Sequence, residues 1–166
     1  MKAIFQRRSI RKYLNKGVSE RVVKELLRAG MAAPSAGDEQ PWHFIVIRNR
    51  QILDCVPKIH PYSSMVKEAP LAILVCGNEQ EEKYKGFWVQ DCSAAVENIL
   101  IAVADKKLGS VWLGIYPIEE RVKAFQQLFQ LPQYVIPLAL LPIGYPAEKK
   151  EPNDRFTEAK VHFEKW

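Results

Sequence analysis

The sequence predicts a single α+β domain spanning residues 1–166. The predicted elements run helices, strand, strand, helix, strand, helix, strand, which breaks the strict β-α-β-α alternation of a doubly wound fold. A chain of 166 residues fits one domain and can bury roughly 70% of its unfolded surface. Its 48% apolar and 26% charged residues are the balance of a globular domain and exclude disorder or a collagen-like chain.

The first segment, Met1 to Arg7, reads as a short helix or arm. Ser19 is a good N-cap for an amphipathic helix whose apolar face is Val22, Val23, Leu26, Leu27 and Gly30; Pro34 is expected to end it. Pro34 to Pro41 is then a loop, and His43 to Arg48 a strand by its β-branched and aromatic content. Gln51 to Cys55 looks like a short helix, followed by a Pro-rich loop through Pro61. The continuous apolar run Leu71 to Cys76 reads as a central strand. Phe87 to Lys107 is the longest helix, apolar on more than one face, and so is expected to be buried across a subunit contact; Gly109 would end it as a left-handed C-cap. Ser110 to Gly114 is one short strand, Ile118 or Glu119 to Phe129 a helix, and Val135 to Gly144 a last strand interrupted by Pro137 and Pro142. Asn153 to Trp166 is a polar and aromatic tail with no core of its own.

No apolar run approaches the ~20 residues of a membrane span, and MKAIFQRRSIRKY lacks the apolar stretch of a signal peptide. The three cysteines, Cys55, Cys76 and Cys92, are odd in number and widely spaced, which argues against a disulfide framework or a zinc site and for a reducing cytoplasm. The histidines His43, His60 and His162 are isolated, so no metal site is expected. There is no G-x-S-x-G, G-x-x-x-x-G-K-[ST] or G-x-G-x-x-G motif, hence no separate nicotinamide-binding unit. Net charge is +5, concentrated in Arg7, Arg8, Arg11 and Lys12. Aromatics do not alternate with these cations, so a nucleic-acid partner is not expected.

Two segments carry chemistry. Arg7-Arg8-Ser9-Ile10-Arg11 offers guanidiniums and a hydroxyl to a phosphate. Pro34-Ser-Ala-Gly-Asp-Glu-Gln-Pro-Trp42 offers small residues over which a flat ligand could lie, with polar groups at Ser35 and Gln40. Taken together, R-R-S-I-R-x-Y followed by A-P-S-A-G-x-x-Q-P-W-x-F resembles the nitroreductase family of FMN-dependent oxidoreductases. Gln90-Asp91-x-x-x-Ala95-x-x-Asn98, Leu108-Gly-Ser-Val-Trp-Leu-Gly114, and Ile143-Gly-Tyr-Pro146 with Asp154-Arg-Phe156 agree in order, so the resemblance covers nearly the whole chain.

The resemblance implies a mixed, mostly antiparallel central sheet flanked by helices and an entwined homodimer with FMN at the subunit interface. Carried over by motif, Arg7, Arg8, Ser9 and Arg11 would hold the phosphate, ribityl chain and pyrimidine edge. Pro34, Ser35, Ala36, Gly37 and Gln40 would come from the other subunit. Val111, Trp112, Leu113 and Gly114 would lie near the flavin ring, and Arg155 would reach back to the phosphate. The chain departs from larger members in having only Glu79 to Gly86 before the long helix, and Leu113 where some place an acidic residue.

The implied activity passes electrons from NADH or NADPH, by a ping-pong mechanism, to a nitroaromatic, quinone or similar conjugated acceptor. Arg11 would stabilise negative charge near N1 and O2 of the flavin, and no side chain is needed as an obligatory acid or base. A flavin-binding storage or sensing protein with little turnover is the alternative reading.

Overall fold

The computed structural model describes residues 2–166; Met1, where the expected first helix or arm begins, lies outside them. Ten regular elements follow in order: α1 (Lys2–Gln6), α2 (Glu20–Met31), β1 (Trp42–Ile47), α3 (Arg50–Ile59), β2 (Leu71–Asn78), α4 (Trp88–Asp105), β3 (Gly109–Ser110), β4 (Leu113–Gly114), α5 (Glu119–Phe129) and β5 (Val135–Gly144). Among the described residues no helix is long and apolar enough to cross a membrane.

The strands pair in the order β1-β2-β5-β3, with β4 also on β5, and all four ladders are antiparallel. A parallel bridge, Ser9 to Ser110, adds the N-terminal segment beyond β3. β2 is buried on both faces, as its unbroken apolar run demands. Leu71, Ile73 and Val75 enter a core with α2 and α4; Ala72, Leu74 and Cys76 enter a second core with Leu53, Val56 and Phe125 of α3 and α5. The fold is therefore three layers, helices on both faces of one sheet.

Local chemistry explains the elements. Ser19 Oγ accepts from Val22 N to start α2, which stops at Ala32, two residues before Pro34. Asn49 Oδ1 accepts from Gln51 N and Ile52 N and starts α3. This helix runs past the expected end at Cys55 to Ile59. The fully buried Leu53 and Val56 hold its later turns, and Pro57, close to the end, removes one backbone donor without breaking it.

Three expectations about the second half are corrected. Gly109 is not a left-handed cap: Lys107, with φ 57°, takes that conformation, and Gly109 opens β3. Glycine is needed there because a Cβ would lie 2.6 Å from Ile10 Cγ2. The single strand expected from Ser110 to Gly114 is two, β3 and β4, separated by Val111 and Trp112. Opposite that gap stands Pro142, which has no N–H for the ladder. The last strand is not interrupted by its prolines: β5 runs unbroken from Val135 to Gly144, and Pro137 is absorbed by a register shift between Val75 and Cys76.

Candidate cofactor site

The segment from Arg7 to Arg11 is held against the edge of the sheet. Ile10 N donates to Ser110 O at 2.9 Å, Lys150 Nζ to Ser9 O at 2.6 Å, and Arg11 N to Glu148 Oε1 at 2.5 Å. Glu148 is kept below the usual carboxylate range chiefly by that Arg11 N–H. Beneath, Ile10 packs over Gly109, and the buried Tyr13 hydroxyl lies 2.7 Å from Ile10 O. The basic residues are thus displayed from a fixed backbone.

Two cavities open along this segment. The first, about 510 Å³, is walled by Arg7, Arg8, Asn153, Arg155 and Phe156, together with Ile4 and Phe5 of α1; its one carboxylate, Asp154, accepts from Phe156 N at 2.9 Å. It brings Arg155 beside Arg7 and Arg8 across almost the whole length of the chain. Arg7 Nε is 3.2 Å from Glu97 Oε1 of α4. Arg8 donates from Nε to Glu151 O at 2.8 Å, while its Nη2 is buried with no partner. A buried guanidinium N–H left unpaired among three arginines is the arrangement an oxyanion satisfies.

The second cavity, also about 510 Å³, is lined by Arg11, Trp112, Leu113 and Gly114, and by His60, Pro61, Tyr62, Ser64, Met65 and Arg121. Val111 is buried beneath it. Its two guanidiniums, Arg11 and Arg121, face no carboxylate among the lining residues. Gly114 O accepts from His60 Nε2 at 3.0 Å and from Arg121 Nη1 at 3.0 Å. Tyr62 N lies 3.3 Å from His60 Nδ1. A carbonyl only accepts and an amide N–H only donates, so the imidazole carries its proton on Nε2 and is neutral. Burial, with the Arg121 charge assisting, holds its pKa below the ordinary value. Arg121, on the polar face of α5, and His60, isolated in the sequence, gave no signal before folding; both line the cavity and share Gly114 O.

The Pro34 to Gln40 loop lies elsewhere. It leads into β1, the sheet edge opposite β3, and three strand spacings separate the two edges by roughly 14 Å or more. Gly37, Asp38 and Gln40 have φ of 51°, 55° and 48°, and a Cβ on Gly37 would meet the Tyr84 ring at 2.4 Å. Ser35 Oγ accepts from Gln40 N at 3.1 Å, and Gln40 Nε2 donates to Asp38 Oδ1 at 2.7 Å. The loop is therefore a rigid, strained turn whose polar side chains brace it. One chain brings together Arg7, Arg8 and Arg155, and separately Arg11 with Trp112 to Gly114. It does not bring Pro34, Ser35, Ala36, Gly37 and Gln40 to either group. Ser9 joins them only through its backbone.

The nitroreductase family model matches residues 4–63 and 58–145. The chain belongs to the nitroreductase family. This nitroreductase is 51% identical over 166 residues to a Methanothermobacter thermautotrophicus protein provisionally named NADH dehydrogenase/NAD(P)H nitroreductase, covering 100% of this chain and 87% of that one. Its fold superposes on a Clostridium difficile FMN-dependent nitroreductase with a TM-score of 0.91 at 26% identity, covering 100% of both chains. A Desulfovibrio desulfuricans structure described as a nitroreductase in complex with FMN gives a TM-score of 0.86 at 31% identity, covering 99% of this chain and 96% of that one.

Proposed function

We propose that this nitroreductase is an FMN-dependent enzyme that takes electrons from NADH or NADPH. It passes them, in ping-pong order, to a conjugated small-molecule acceptor such as a nitroaromatic or a quinone. The observation that carries this reading is the cavity in which Arg155 meets Arg7 and Arg8 with a buried, unpaired N–H. Cations converging in this way suit the phosphate of FMN. The FMN named in the descriptions of the two solved relatives supports the same cofactor.

When bound, FMN supplies the two-electron relay between donor and acceptor. Arg7, Arg8, Ser9 and Arg155 hold its phosphate and ribityl chain. Val111, Trp112, Leu113 and Gly114 back the ring, and Arg11 places a positive charge at the pyrimidine edge. Neutral His60 and Arg121 fix Gly114 O, so the backbone against the ring is immobile. Pro34, Ser35, Ala36, Gly37 and Gln40 act on the cofactor of a second copy, which makes the enzyme a homodimer. The exposed Phe5, Phe156, Phe163 and Trp166 supply apolar surface for that contact. With no second nucleotide-binding fold, donor and acceptor use one open face in turn.

The kinetic test is direct. Double-reciprocal plots at several acceptor concentrations give parallel lines, and high acceptor inhibits competitively against NAD(P)H. Intersecting lines with a detectable ternary complex would rule out the shared face.

A further inference from the structure

A third cavity, of about 440 Å³, lies between the C-terminal end of α4 and the segment after β5. Lys107, Ser110, Lys149 and Lys150 line it and neither of the cavities described above, while Arg7 and Arg8 form its boundary with the cavity that contains Arg155. Ser110 is 3% exposed, and its Oγ is buried with no hydrogen-bond partner. A buried hydroxyl left unpaired is costly, so the position calls for a ligand or a water. Among the described residues Lys107 makes no ion pair. The single carboxylate on the wall, Glu148, is already engaged by Arg11 N and by Lys150 at 3.6 Å. Lys149 is paired with Glu151 at 3.0 Å and Arg7 with Glu97 at 3.2 Å, and Lys150 also donates to Ser9 O. The wall thus presents an unused hydroxyl and one uncommitted cation, Lys107, beside Lys150, which is held only by a long ion pair to Glu148 and that carbonyl.

We propose that this cavity is a second oxyanion site, taking a phosphate group on Ser110 Oγ, Lys107 and Lys150, apart from the phosphate of the flavin. The phosphate can be the free ion or the 2′-phosphate of NADPH, and the chemistry of recognition is the same. The inference does not need the catalytic reading: the site stands on its own wall residues.

The test is calorimetric titration of the flavin-loaded protein, in buffer free of phosphate and sulfate, with inorganic phosphate, 2′-AMP and adenosine. Phosphate and 2′-AMP bind with one site per chain, and adenosine does not. Lys107→Asn, which keeps a residue that tolerates the left-handed backbone, and Ser110→Ala each weaken binding by about tenfold, the loss expected for one charge-assisted bond. Flavin content, read from absorbance, stays unchanged in Lys107→Asn, which also reports that this variant folds. Binding of 2′-AMP more than about tenfold tighter than phosphate assigns the site to the nucleotide; equal binding assigns it to the free ion. The proposal is overturned if the loaded protein shows no saturable binding, if both variants bind as the parent does, or if only flavin-free protein binds phosphate.

Discussion

Asp91 and Glu39, fifty-two positions apart, each turn one carboxyl oxygen to backbone N–H groups and bury the other without a donor. Asp91 Oδ1 accepts from Ala36 N at 3.0 Å. Glu39 Oε2 accepts from Lys83 N at 2.7 Å and Tyr84 N at 3.0 Å. Asp91 Oδ2 and Glu39 Oε1 are the buried, unpaired atoms, and the two carboxyls are near enough to act on one another. Two buried carboxylates placed side by side repel when both are ionised, which favours one shared proton. Burial, together with the charge of Glu39 and against the Ala36 N–H, raises the pKa of Asp91. Burial also acts on Glu39, but the Tyr84 and Lys83 N–H groups outweigh it and hold Glu39 low. Of the two, Asp91 is therefore the carboxyl on which a proton is favoured, and the pair clamps the Pro34 to Gln40 loop to α4.

A neutral amide should replace the protonated acid. A group with a raised folded pKa contributes stability that is full below its unfolded value, near about 3.9, and lost as pH rises through the folded one. Asp91→Asn has no such loss, so its Tm relative to the parent should climb as pH is raised from 4 to 8. Asp91→Leu, which orphans Ala36 N, should lose about 1–3 kcal/mol. A Tm difference between Asp91→Asn and the parent that is flat with pH contradicts the shared proton.

His60 should give the opposite limb. Its folded pKa lies below the ordinary value of about 6.5, so the unfolded chain binds the proton first. Stability from this group is full above that value and falls as pH drops below it. Thermal melts of His60→Asn should lack this acid slope while the parent keeps it; identical slopes contradict the neutral assignment.

Gly109 couples the core to the cofactor segment. A methyl at this position meets Ile10 Cγ2 at 2.6 Å, and Ile10 is fixed between Arg7 and Arg11 on a short backbone ladder. Gly109→Ala should cost about 1–3 kcal/mol and weaken FMN binding as well. Equilibrium unfolding and flavin titration on the same variant check both; a loss of stability with full affinity would uncouple the two.

The arginines can be ranked by their surroundings. Arg155→Ala and Arg7→Ala should each lower FMN affinity about tenfold or more, with little change for riboflavin, because a charge-assisted bond to phosphate is worth about 1.5–3 kcal/mol. Fluorescence titration with both flavins reads this out. Full flavin retention by both variants at low micromolar FMN removes the phosphate assignment.

The legible parts of the fold were those governed by local pattern. The apolar spacing of α2 and the unbroken run of β2 needed no knowledge of their neighbours. The boundary of α3 was misread because Leu53 and Val56, buried by tertiary packing, carry the helix through Pro57. Gly109 was misread because its smallness answers a contact with Ile10, ninety-nine positions earlier, and not a turn. At the site, Arg7, Arg8, Arg11 and Gly114 were visible as motif, because clustered charge and small residues are rare enough to stand out. His60, Arg121 and Glu39 were not: their roles rest on a shared carbonyl and a shared proton, which exist only once distant segments meet.

The most direct measurement is anaerobic spectroscopy of the purified, FMN-reconstituted protein. The account predicts an oxidised flavin band near about 450 nm, bleached by NADH or NADPH and restored in full by menadione. A protein that stays colourless after reconstitution contradicts the cofactor, and one whose bound flavin neither NADH nor NADPH can bleach contradicts the catalytic role.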